Sequence, residues 1–127
     1  MPAATTLPSV PPGADERLVA LYAEYRDVQA TKAKLYAWGC RLPAGDTPES
    51  EAQEAGVVAN NHREDACMGA VAGIEAATMA GLRPKVAMAG EVLASAVGQI
   101  SLDAKTLEVR LVLSALGDVL RITAPTA

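Results

Sequence analysis

Apolar positions recur at helical spacing along most of the chain. Leu18, Leu21, Tyr25, Val28 and Leu35 form a heptad-like seam, interrupted by Lys32 and flanked by Tyr22 and Tyr36. The pattern predicts a first helix from about Asp15 to Trp38, with Asp15 and Glu16 at the positive end of its dipole. A second helical stretch opens at Asp46-Thr47-Pro48-Glu49, where Thr47 can cap and Pro48 suits a first turn. Along it Ala52, Ala55, Ala59, His62, Ala66, Gly69, Ala70, Gly73 and Ala77 fall on one face. Small residues let a neighbouring helix come close, so this stripe is expected to be the contact surface for the other helices. The first two helices should form an antiparallel hairpin joined by Gly39 to Thr47.

A break or kink is expected from Thr78 to Lys85, where Gly81 and Pro84 oppose helix. Beyond it Val86, Ala89, Gly90, Leu93, Ala96, Val97 and Ile100 share a face, with Glu91, Ser95 and Gln99 opposite. Ser101 or Asp103 can cap a fourth helix running to about Arg121. Its main face is Val109, Val112, Leu113, Leu116, Val119 and Leu120, while Leu107, Leu111 and Ile122 project to another side. A helix apolar on two sides is central to its domain or covered by a second subunit, which makes Leu107, Leu111 and Ile122 candidates for an interface. The alternation Leu107, Val109, Leu111, Leu113, followed by Gly117-Asp118, also admits a hairpin. The expected fold is all-α and four-helix bundle-like: a hairpin plus two further helices in one domain, 14–123, between tails 1–13 and 124–127.

Composition narrows the function classes. Half of the 127 residues are apolar, Phe is absent, and the net charge of −4 lacks the basic footprint of a nucleic-acid surface. Cys40 and Cys67 belong to no CxxC or Cys/His cluster and read as free thiols in a reducing compartment. The Pro-rich start has no basic n-region, charges interrupt every apolar stretch, and the default location is cytoplasmic.

Candidate chemistry centres on Asn60-Asn61-His62-Arg63-Glu64-Asp65. His62 and Asp65 are one helical turn apart, the spacing at which a carboxylate can fix an imidazole tautomer for general-base work. His62 is the sole histidine, so neither a di-iron carboxylate bundle nor a zinc site is expected, and no cofactor is implied. Arg63 lies one turn before Cys67, but a partly buried, inert thiol is the expectation there. Leu93 to Ser101 is similar to a helix-turn-helix corner with its spacing one residue off. The following helix offers Lys105 and Arg110 against Asp103 and Glu108, which brings no net positive charge to phosphates.

Two short motifs carry a resemblance. Asp15 to Tyr25 fits Asp-x-x-Leu-x-x-Leu-x-x-x-aromatic, and Thr78 to Lys85 fits Thr-x-x-Gly-Leu-x-x-Lys, with Pro84 where a helix former is usual. Together they resemble a loose set of small, uncharacterised helical bacterial proteins, often prophage-associated. The resemblance implies a helical fold and no particular activity. The expected function is a non-enzymatic protein–protein interaction module, self-associating, with nucleic acid and membrane not expected as partners. The alternatives are a small-ligand binder or enzyme centred on His62 and Asp65, and a helix-turn-helix DNA-binding regulator.

Overall fold

The computed structural model describes residues 10–96 and 106–123, which form four α-helices: α1 (Ala14–Arg41), α2 (Pro48–Gly73), α3 (Met79–Ala96) and α4 (Leu107–Thr123). Val97, Gln99, Ile100, Ser101, Asp103 and Lys105 lie outside the described residues, as do 1–9 and 124–127. Gly13, in the left-handed region at φ +83°, turns the chain out of Pro11-Pro12 into α1. The helix outruns its expected end at Trp38, so the linker is only Leu42 to Thr47. Thr47 caps α2 as expected, its Oγ1 accepting from Ser50 N–H at 3.1 Å while Ser50 Oγ accepts from Thr47 N–H at 2.9 Å.

The chain breaks earlier than its sequence suggests. Helix α2 ends at Gly73, and Ile74 to Thr78 form a short connector. Pro84 is the sixth residue of α3, where the N–H it lacks would have reached only the exposed Ala80 in the first turn. Residues 107–123 are helical, which overturns the hairpin reading: Leu111, Ala115 and Asp118 are buried together at helical spacing, and Leu107 and Ile122 pack beside them.

The rotation of α2 is the main correction. Ala52, Ala55, Ala59, His62, Ala66 and Gly73 face solvent, and of the expected stripe only Gly69, beside Leu107, and Ala70, against the core, are partly buried. The face turned to α1 carries a polar ladder instead. Gln53 donates to the Leu35 carbonyl at 3.0 Å, Asn60 to Val28 at 3.1 Å, and the Cys67 thiol to Leu21 at 3.1 Å. The donors recur every seven residues along α2 and the acceptors every seven along α1, so one antiparallel register repeats over three rungs. Gly56 lies against Leu35, and Lys32, the interruption in the apolar seam, pairs with Glu64 at 2.6 Å. Larger side chains and satisfied donors outweigh an Ala/Gly stripe because that stripe has little area to remove from water.

The main packing pairs are α1 with α2, α1 with α3, α3 with α4, and α2 with α4. Two antiparallel hairpins therefore lie face to face, and the Ile74–Thr78 connector crosses one end of the bundle diagonally. Leu18, Leu21, Tyr25, Met68, Val71, Leu82, Met88, Val92 and Leu111 fill the core between them.

Candidate interaction surface

The end of the bundle crossed by the connector fixes how α3 and α4 sit. Asp15 of α1 accepts from Ala77 N–H at 2.8 Å, from Thr78 N–H at 3.1 Å and from the Thr78 hydroxyl. From the other side, Asp118 of α4 accepts from Ala76 N–H at 3.1 Å, and Arg121 donates to the Ala76 carbonyl. Lys85 of α3 is fully buried, donating to the Ile74 carbonyl at 2.6 Å and pairing with Asp118 at 2.7 Å. Arg121 bonds the second Asp118 oxygen at 3.1 Å, and Ser114 donates to the Ala72 carbonyl at 2.8 Å. A buried cation and a buried carboxylate are tolerable here because Lys85 has two partners and Asp118 three.

The two sequence motifs meet in this joint. Asp15 supplies the carboxylate, Thr78 caps α3, Leu82 enters the core, and Lys85 reaches Asp118. Gly81 lies against Asp15 so closely that a Cβ there would come within 2.6 Å of the Asp15 Cγ. Burial pushes the Asp15 pKa upward, but the hydrogen bonds from Thr78 and Ala77, with the Arg121 charge, outweigh it and hold it below the ordinary carboxylate value.

The other predicted site residues are scattered. His62 and Asp65 are both exposed on the outer face of α2. Among the described residues no group of three His, Cys, Asp or Glu side chains could hold a metal ion. Cys67 is buried, and desolvation pushes its pKa up to about 11, so it is a thiol at neutral pH; Cys40 is exposed. Arg110 is exposed, while most of the helix-turn-helix segment lies outside the described residues. Leu111 is 0% exposed, and Leu107 and Ile122 are partly buried against the core.

The main apolar face of α4 is split: Val112 and Val119 pack against the core, while its leucines point outward. Leu113 and Leu116 are each 54% exposed and Leu120 is 72% exposed. Beside them, exposed Val86 and Leu93 of α3 flank an apolar groove of about 190 Å³ shared with Val112, Ala115 and Val119. The physical reason is Asp118. It shares a face with Leu111 and Ile122, and its bonds to the connector hold that face inward, leaving the leucine ridge to water.

Two other clefts are lined differently. One of about 340 Å³ lies between α1 and α3 at Tyr25, Arg26, Gln29, Glu91 and Ser95, with the Tyr22 hydroxyl donating to Glu91 at 3.0 Å. Tyr25 is buried, and desolvation with the Glu64 and Glu91 charges raises its pKa to about 12. The other, of about 600 Å³, runs along Val10 to Ala14 and Gly73 to Glu75. Neither these nor the α3–α4 groove is lined by His62 or Asp65. No described helix is long and apolar enough to cross a membrane. No family model, curated protein or solved structure matches this chain.

Proposed function

We propose that this chain is a non-enzymatic helical protein–protein interaction module that associates with copies of itself through the exposed apolar face of α3 and α4. The observation that carries this reading is the cluster of Val86, Leu93, Leu113, Leu116 and Leu120, each more than two-fifths exposed. Contiguous apolar patches on soluble chains mark sites of association. The interface expected at Leu107, Leu111 and Ile122 thus moves to the opposite side of the same helix. Two unpaired thiols fit a reducing, cytoplasmic setting.

The test is light scattering coupled to size exclusion, at low and high micromolar concentration. The expected mass is a multiple of the 13.1 kDa chain. A single-chain mass at both concentrations would overturn the proposal.

A further inference from the structure

Resting on that reading, we infer that the assembly is a two-fold symmetric dimer in which the α4 ridge of each copy lies in the α3–α4 groove of the other. The ridge is Val109, Leu113, Leu116 and Leu120, spaced four, three and four residues apart. That is the a/d spacing of a helix seam built to meet another helix. No other helix of the described chain covers it, since Leu113, Leu116 and Leu120 keep more than half of their surface in water.

The groove beside the ridge supplies the matching shape. Ala89 and Ala115, both buried, form its floor, and Val86 and Leu93 stand along its edge. Its volume of about 190 Å³ admits a leucine side chain. Its lining is apolar throughout, which fits a leucine ridge and leaves a charged or hydrogen-bonding segment without partners. Gly117, on the flank of the ridge, has nothing within 4 Å of where a Cβ would be, so a second helix can approach there.

Ridge and groove lie side by side on one face, so the same patch is both insert and receptor. Two-fold contacts require this self-complementarity, and they close at two copies. The area also fits. A face two helices wide and about 25 Å long has a flat footprint of about 500 Å², so two copies would cover about 1,000 Å² in total, the lower bound for a specific interface.

The experiment is sedimentation of the full chain and of two single variants, Leu116→Glu and Leu120→Glu, followed by mixing Leu116→Glu with Leu116→Arg. The wild-type chain should sediment as two copies without growing further as concentration rises. Both Glu variants should fall to one copy while keeping the wild-type helical circular dichroism. Leu120→Glu is the safer of the two for folding, as the more exposed position. Mixing the Glu and Arg variants should restore the two-copy mass, because Leu116 also lines the groove that receives the partner's ridge, so the two substituted positions meet.

A mass that climbs past two copies with concentration would overturn the two-fold arrangement and leave self-association standing. So would a dimer indifferent to both Glu variants, or variants whose mixture stays at one copy. A wild-type chain that is one copy at every concentration would overturn both the arrangement and the proposed function.

Discussion

Gly81 and Asp15 compete for the same space at the start of α3. Alanine is normally the better helix residue by about 1 kcal/mol, yet Gly81→Ala should destabilise by about 2 kcal/mol, because its methyl would also lie 3.1 Å from the Asp15 Cα. Gly69→Ala is the control. Its nearest neighbour would be Leu107 at 3.8 Å, and it should stabilise by about 0.5–1 kcal/mol in the same urea titration. The sign of the pH effect at Asp15 follows from its lowered pKa. Its contribution is complete above the unfolded carboxylate value and fades as pH falls through the lower folded one. Asp15→Asn should therefore flatten the acid limb of stability measured below about pH 4. Lys85→Met removes the closest of the cations paired with a buried carboxylate and should cost about 3 kcal/mol by denaturant unfolding. Gly81 and Lys85 are visible in the sequence as a motif. What they touch is not, because Asp15 and Asp118 lie far away along the chain.

At the scale of elements, the α1–α2 hairpin is held in register by side chains bonding to main-chain carbonyls. Asn60 is the middle rung, and its Oδ1 is buried without a partner. Asn60→Leu gives up one net hydrogen bond of about 1 kcal/mol and relieves an unpaired oxygen worth about as much, so its unfolding midpoint in urea should hardly move. Cys67, the last rung, is buried and bonded to Leu21. Titration of the folded chain with a thiol reagent at mildly alkaline pH should label Cys40 and spare Cys67, and denaturant should expose the second thiol. The seven-residue spacing of Gln53, Asn60 and Cys67 was present in the sequence, mirrored by Leu21, Val28 and Leu35. It is hard to see because polar residues at heptad positions look like interruptions of a seam. Ala and Gly at helical spacing look like a packing face, and here most of them point to water.

For the whole molecule, the orientation of α4 separates core from surface. Leu111→Glu places a charge among Leu18, Met68 and other buried side chains and should unfold the domain, seen as loss of helical circular dichroism. The same substitution at Leu116 should leave the fold intact and change the mass of the assembly. The contrast arises from one joint, where α1, α3 and α4 together hold the connector between the two hairpins.

Local physics in the sequence sufficed to determine that this is a helical chain, where α2 begins, and roughly where α1 lies, because caps, prolines and apolar period act between near neighbours. The same local signals made α4 apolar on two sides but could not rank them. Only the tertiary structure decided that Leu111 faces the core and Leu116 faces water, because the deciding contact is Asp118 meeting Lys85 and the main chain at Ala76. The outward face of α2, with His62 on it, was likewise settled by bonds from Asn60 and Cys67 to carbonyls of another helix. Contacts across such long stretches of chain leave no period in the sequence to read.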